Sequence, residues 1–460
     1  MNHTNDTICA LATPAGGAIA VIRLSGPESL EIVSRLFSKD LRQAVANTLH
    51  YGRLSFQGEE IDDVVVSVYH APHSYTGEEA AEISCHGSAY IVQQILHALI
   101  RSGARQAEPG EYTRRAFLNG KMDLSQAEAV ADLIAASNRV THQMALSQLN
   151  GHFSSELAVL REKLLKMTSL LELELDFSDH EELEFADRTE LRQLAGEIRE
   201  HIRSLTHSYE IGNALKQGIA VAIIGRTNVG KSTLLNQLLH DNRAIVSDVD
   251  GTTRDSIEGT TQINGVTFRF IDTAGIRETT DRVELIGIER SWQKLSEARI
   301  ILWMVDAVPS PDEVEEMQAK ASGKPVIIVV NKSDLMASTT EVTQWLDTIK
   351  SKEHVVHGIL ISAKQGQNLS ALEQLIYEAA DIPEITENTV IVTNGRHYTA
   401  LCRAGEAIRR VLEGMDMDLS GDLLAEDLRD CIDNLNQIVG QQISSQSVLN
   451  NIFQHFCIGK

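Results

Sequence analysis

The sequence predicts a multidomain protein: an α+β N-terminal domain, an α-helical middle domain, and an α/β domain with a mostly parallel sheet inserted into the helical one. Three observations predict it. The chain has 460 residues, enough for about three domains of ordinary size. Its hydrophobic spacing changes from short apolar runs over 1–120 to helical stripes over 121–215, to alternating strands and helices over 216–380, and back to helix over 381–460. Within the third stretch, Ile219-Ala220-Val221-Ala222-Ile223-Ile224 runs into a glycine-bounded loop and then into Thr233-Leu234-Leu235-Asn236-Gln237-Leu238-Leu239, the strand–loop–helix unit of a doubly wound sheet.

Taken in order, Ala18–Leu24 and Asp63–Tyr69 read as strands and Tyr90–Ile100 as a helix. No motif announces chemistry here. The polar stretches Ser74–Glu79 and Glu82–Gly87, with Cys85 and His86, read as surface turns in preference to a binding loop. Asp123, with Gln126 three residues on, has the form of an N-cap, and helical periodicity continues to residue 215. Leu157, Leu160, Leu164, Met167 and Leu171 fall at alternating spacings of three and four, the seam of a helix packed on other helices. Eight acidic residues between Glu172 and Asp187 read as a solvated loop or helix end, because no calcium-loop spacing is present. Further strands are expected at Val266–Ile271, Ile300–Val305, Val326–Val330 and Gly358–Ile361, with Pro383 marking the exit from the α/β domain. Asp422–Leu428 then reads as helix. The two helical stretches flank the insertion and are expected to form one body.

Composition narrows the function classes. Lys plus Arg number 41 against 64 Asp plus Glu, and the net charge of −23 argues against a broad, nonspecific grip on nucleic-acid phosphates. The five cysteines (Cys9, Cys85, Cys402, Cys431, Cys457) form no C-x-x-C pair, so neither a disulfide framework nor a zinc site is indicated, and a reducing, cytoplasmic setting is expected. No run approaches the roughly 18 apolar residues of a membrane span, and Met1–Thr7 is polar rather than signal-like.

The chemistry lies at the strand ends of the α/β domain. Gly225-Arg226-Thr227-Asn228-Val229-Gly230-Lys231-Ser232 fits G-x-x-x-x-G-K-[ST] at every fixed position, and Thr233 continues into the helix. The glycines let backbone N–H groups close around phosphate, Lys231 adds charge on the β- and γ-phosphates, and the Ser232 hydroxyl can reach Mg²⁺. Asp272-Thr273-Ala274-Gly275 follows a strand, placing a carboxylate near that Mg²⁺ and the Gly275 N–H near a γ-phosphate. Within Gly251-Thr252-Thr253-Arg254-Asp255, Thr253 can complete the Mg²⁺ shell. Asn331-Lys332-Ser333-Asp334 supplies an aspartate able to accept from guanine N1 and its 2-amino group, and Ser362-Ala363-Lys364 offers an N–H to guanine O6. These strings together predict a GTP-binding GTPase. Ras-like GTPases carry a water-orienting glutamine directly after D-x-x-G; here that residue is Ile276, so another group has to position the nucleophile, and Glu284 in the loop Thr279–Glu284 is the candidate.

Three strings outside that domain sharpen the class to a family. They are the terminal Phe456-Cys457-Ile458-Gly459-Lys460, the opening Asp6-Thr7-Ile8-Cys9-Ala10-Leu11-Ala12-Thr13-Pro14, and Leu118-Asn119-Gly120-Lys121-Met122-Asp123-Leu124. With the GTPase insertion they make the chain resemble the MnmE (TrmE) family of tRNA modification GTPases over all three parts. The resemblance implies a homodimer whose N-terminal domain binds 5-formyl- or 5,10-methylene-tetrahydrofolate through Arg23, Glu82, Lys121 and Lys460, with Cys457 a catalytic candidate on the same tail. It also implies K⁺ held by Asn228, Ser247, Val249 and Thr252, in the P-loop and in the nucleotide-contacting loop Ser247-Asp248-Val249-Asp250-Gly251-Thr252. Asp250 departs from the small or apolar residue the family pattern has there, and helices over Cys431–Gln454 match more loosely than the termini. The family acts with the flavoprotein MnmG, in a heterotetramer that holds tRNA mainly through the partner, to add an aminomethyl or carboxymethylaminomethyl group to C5 of the wobble uridine. Two other readings stand beside it. A ribosome-assembly GTPase of the Era/EngA type is disfavoured by the single P-loop, the lack of a basic module and the C-I-G-K tail. A GTPase scaffold without folate chemistry stays open because the first domain has no motif of its own.

Overall fold

The structure is a computed structural model that describes residues 6–14, 16–176, 188–240, 258–272, 297–336, 338–349, 355–386, 388–440, 449, 452, 453, 456 and 459. Two compact units emerge, one of Met1–Ala135, Ala145–Ile202 and Thr399–Lys460, the other of Ala136–Met144 and Arg203–Tyr398.

The first unit opens with β1 (Ile8–Leu11), β2 (Ile19–Ser25), α1 (Ser29–Leu36), β3 (Thr48–Phe56), β4 (Glu59–Tyr69), β5 (Ala80–His86), α2 (Ala89–Arg101) and β6 (Arg105–Gln106). Its sheet has the order β3-β4-β5-β2-β1-β6, antiparallel but for the β1–β6 pair. Alternation puts Ile22, Leu24, Val64, Val66 and Ile83 on one face, where Leu30 and Val33 of α1 and Ile95 and Leu99 of α2 cover them. The opposite register brings Arg23 of β2 level with Glu82 of β5.

Helices follow: α3 (Glu111–Leu118), α4 (Leu124–Ala135), α5 (Arg139–Leu149), α6 (His152–Asp176) and α7 (Arg188–Gln217). The expected cap of α4 is a reciprocal one: the Gln126 N–H donates to Asp123 Oδ1 and the Asp123 N–H to Gln126 Oε1, each at 2.9 Å. The leucine seam of α6 is buried throughout and packs on the helix we number α13 (Gly421–Val439), which offers Leu424, Leu428, Cys431 and Leu435. The acidic stretch 177–187 lies outside the described residues. Further on, Leu449 and Phe453 join Leu124 and Ala127 in a small core, with Phe117 and Phe456 against it.

The second unit contains β7 (Ile219–Gly225), α8 (Lys231–His240), β8 (Glu258–Ile263), β9 (Val266–Asp272), β10 (Ile300–Val305), α9 (Pro311–Ala321), β11 (Val326–Val330), α10 (Thr340–Ile349), β12 (Val355–Leu360) and α11 (Leu369–Ala379); α12 (Gly395–Asp416) follows them in the chain. The sheet order is β12-β11-β10-β7-β9-β8, parallel except for β8, which runs antiparallel to β9. Apolar cores on both faces explain why β7, β10 and β11 read as unbroken apolar runs. Sequence reading missed β8. Its signal is Asn264-Gly265, with φ of 51° and 79°, the two-residue turn of a tight hairpin. Because β9 and β10 flank β7 on opposite sides, the crevice at the carboxyl end of β7 is a topological switch point. Among the described residues, no helix is long and apolar enough to cross a membrane.

Candidate functional site

At that switch point β7 ends on Gly225, the P-loop turns through Asn228 with φ 59°, and α8 begins at Lys231. Gly230 cannot be replaced by any larger residue without movement: its φ is 103° and an added Cβ would stand 2.3 Å from Asn331 Nδ2. Asn331 is 3% exposed and joins three loops. Its Nδ2 donates to the Val229 carbonyl at 2.8 Å, its Oδ1 accepts the Ala363 N–H at 2.9 Å, and its own N–H donates to the Val305 carbonyl at 2.8 Å. Lys332 takes a left-handed turn, φ 65°, into a 3₁₀ turn, Ser333–Leu335. The fully buried Ser362 donates its hydroxyl to Asp334 Oδ1 at 2.6 Å, which fixes the plane of the carboxylate read as the guanine acceptor. Lys364 follows on the same loop and is exposed.

Lys231 donates its ammonium to the Gly225 and Arg226 carbonyls at 2.9 and 2.8 Å, so the cation lies along the loop that would wrap a phosphate chain. Ser232 and Thr233 form the first turn of α8, whose N–H groups favour anions. Two pairs went unnoticed in the sequence. Asp306, just after β10, accepts from Lys332 Nζ at 2.9 Å, and the hydrogen bond from Lys332 holds its carboxyl below the usual range. Arg226 pairs with Glu313 of α9. Asp272 closes β9, where the motif requires it. Thr273, Ala274, Gly275, Glu284 and the loop carrying Ser247, Asp248, Val249, Asp250, Gly251, Thr252 and Thr253 lie outside the described residues.

The N-terminal sheet holds a second candidate. Arg23 Nε and Nη2 reach Glu82 Oε1 at 2.8 and 2.7 Å, and the guanidinium carbon lies 5.4 Å from the Tyr75 ring centroid and 5.7 Å from that of Tyr112. Tyr112 donates its hydroxyl to the Arg23 carbonyl at 2.7 Å, and burial pushes that phenol up, so it remains a donor. Around them lies a cleft of about 200 Å³ whose walls include Tyr69, Ser74, Tyr75 and Thr76. The C-terminal tail reaches it, since the Gly459 carbonyl accepts from Arg23 Nη1 at 3.3 Å. Gly459 has φ 96° and an added Cβ would lie 2.4 Å from the Leu11 carbonyl oxygen. Lys121 sits beside the cleft, donating to the Pro72 carbonyl at 2.9 Å. Cys457 and Lys460 lie outside the described residues.

Here the expectation of mere surface turns at Ser74–Glu79 and Glu82–Gly87 is corrected: Ser74, Tyr75, Thr76 and Glu82 wall a cleft. Cys85 belongs to the core of β5, its thiol pushed up to about 11 by burial, and the exposed His86 pairs with Asp62 at 2.7 Å. Behind the cleft lies an ionic group that periodicity could not reveal. Arg115 joins Asp6, Glu78 and Glu111, and Arg105 joins Asp6 and Glu111. Burial pushes the Glu111 carboxyl up, but hydrogen bonds from Arg105, the Glu108 N–H and Arg115 outweigh it and hold the group below the usual carboxylate range.

The pegged loops at the switch point define a P-loop protein of the GTP-binding class. A family model described as the GTP-binding protein TrmE N-terminus matches residues 7–121, and one described as the MnmE helical domain matches residues 124–457. Proteins named tRNA modification GTPase MnmE from Bacteroides fragilis and Bacteroides thetaiotaomicron are each 54% identical, with 99% of this chain and 99% of the relative covered. One of the same name from Porphyromonas gingivalis is 48% identical over 100% of this chain and 99% of its own length. The chain belongs to the MnmE family of tRNA modification GTPases.

Proposed function

We propose that this protein hydrolyses GTP in the cytoplasm, in a K⁺-dependent way, and couples that hydrolysis to modification of the wobble uridine of tRNA. It does so as a homodimer with the flavoprotein MnmG, adding an aminomethyl or carboxymethylaminomethyl group at C5 from a tetrahydrofolate one-carbon donor. The observation that carries this reading is that one chain holds both a guanine-type acceptor, Asp334 braced by Ser362, and a cleft at the paired Arg23 and Glu82 reached by its own C-terminal tail.

In the nucleotide site, Asp334 accepts from the base, the Ala363 N–H loop lies beside it, and the P-loop N–H groups with Lys231 hold the phosphates. The donor set fits the ions: hydroxyls of Ser232 and Thr253 and the Asp272 carboxylate suit Mg²⁺, and the oxygens of Asn228, Ser247, Val249 and Thr252 suit K⁺. Both ions supply positive charge along the polyphosphate when bound. With Ile276 unable to orient water, Glu284 takes that part. At the cleft, the paired Arg23 and Glu82 suit the acceptors and donors of a pterin ring, Lys121 and Lys460 suit the carboxylates of a folate tail, and Cys457 approaches the one-carbon group.

Mass spectrometry of tRNA nucleosides tests the reading. Cells lacking the gene lose the C5-modified wobble uridine, and wild type restores it where Asp334→Asn and Arg23→Ala do not. Unchanged tRNA with accumulating ribosomal precursors would assign the chain to ribosome assembly instead.

A further inference from the structure

His70 stands at the base of the loop that walls the Arg23 cleft. Its Nδ1 lies 2.6 Å from Glu79 Oε2 and its Nε2 lies 2.8 Å from the Ala44 carbonyl oxygen. A backbone carbonyl and a carboxylate only accept, so both ring nitrogens must carry hydrogen, and the arrangement is that of an imidazolium. Glu79 is itself fixed from two sides. Its Oε1 accepts the Ala71 N–H at 3.2 Å, and its carbonyl accepts the Gly26 N–H at 2.9 Å and the Ser29 hydroxyl at 3.2 Å. His70 therefore ties the end of β4 to the start of β5 and to the α1–β3 connection.

Between His70 and Glu79 the chain forms a strap. Lys121 holds it at the Pro72 carbonyl, Asn119 Nδ2 holds it at the Thr76 carbonyl at 2.7 Å, and Ser74 closes it on the Glu78 carbonyl at 2.6 Å. Ser74, Tyr75 and Thr76 on the strap line the cleft, as do Tyr69 and Ala80, the immediate neighbours of the clasped pair. We propose that the protonated His70, bridging Ala44 and Glu79, is a positioning residue that keeps this strap closed around the Arg23 cleft, so that the cleft holds its folate less tightly once His70 loses a proton. The inference rests on the folate reading of the cleft and deepens it.

The sign follows from the partners. Hydrogen bonds to the Ala44 carbonyl and to Glu79 raise the pKa of His70 above its ordinary value, and Glu79 is the charged group whose field favours the cation among the described residues. From the α1–β3 connection the ring meets a backbone carbonyl, not a charge. A raised histidine contributes fully below its unfolded value of about 6.5, and the contribution disappears as pH climbs through the folded value. The proton that leaves is the one on Nε2, because Glu79 retains the hydrogen on Nδ1; the bared lone pair then faces the Ala44 oxygen and repels it. Burial pushes the phenol of Tyr75, which lines the cleft, up and away from that range.

Calorimetric binding of 5-formyl-tetrahydrofolate to the full chain from about pH 6 to about pH 9, with hydrogen exchange of peptides spanning 70–80 corrected for intrinsic rates, tests this. Wild-type affinity is expected to fall about two- to fivefold across the range, the scale of a partly exposed ion pair, while the strap amides exchange faster. His70→Gln, its folding checked by circular dichroism, should be pH-flat in both readouts, and Glu79→Gln should move the wild-type drop to lower pH. Strap exchange that ignores pH in the wild type, or a wild-type slope retained in His70→Gln, overturns the clasp. If folate fails to bind the wild type at any pH, the folate reading falls, and the exchange experiment still decides whether the clasp exists.

Discussion

Single residues decide what the two sites can do, and they differ in how far the sequence exposes them. Asp334 and Ser362 stand in motifs that name their partners in guanine. Their mutual hydrogen bond and the bridging part of Asn331 are not legible there, because they depend on the ends of β7, β11 and β12 meeting in space. Glu111 is harder still: its cluster joins residues as far apart as Asp6 and Arg115. Its depressed carboxyl contributes stability that is present above the unfolded value of about 4.3 and is lost as pH falls through the folded value. Glu111→Gln should therefore lower the urea midpoint at neutral pH, and the gap to wild type should narrow as the solution is acidified below about pH 4; a gap constant with pH would remove Glu111 from the acid response.

At the scale of elements, long apolar periodicities were the most legible signal. The α6 seam from Leu157 to Leu171 is buried against α13, and Asp123 with Gln126 caps α4. Leu160 is fully buried, and Leu160→Ala should cost about 2–5 kcal/mol by chemical denaturation; a loss under about 1 kcal/mol would mean that the seam repacks freely. Strand β8 was missed although Asn264-Gly265 announces its hairpin. The strap 70–79 was missed for a better reason, since its turn residues look like any solvated loop until β2–β5 register and the pegs from Asn119 and Lys121 turn it into a wall. The tail is similar: its motif points to a family, and only the close approach of Gly459 to Leu11 gives it a seat. Gly459→Ala should lift the tail from Arg23 and, on the proposed reading of the cleft, weaken folate binding while GTP hydrolysis continues. Undiminished folate affinity would show that the seat is dispensable.

On the scale of the whole molecule, a net charge of −23 argues against a broad, nonspecific grip on nucleic-acid phosphates. The absence of a glutamine at Ile276 makes a second expectation: on the proposed reading, GTP turnover rises strongly when KCl replaces NaCl, and equal rates in the two salts would rule out the potassium mechanism. The proposed GTPase mechanism depends on the chain reading guanine. The most direct measurement is the affinity of the full-length wild type and of Asp334→Asn for GTP and for xanthosine triphosphate. The carboxylate accepts from guanine where an amide can instead donate to the extra carbonyl of xanthine, so the substitution should reverse the preference by about two orders of magnitude or more. An Asp334→Asn protein that keeps wild-type affinity for GTP would contradict the account.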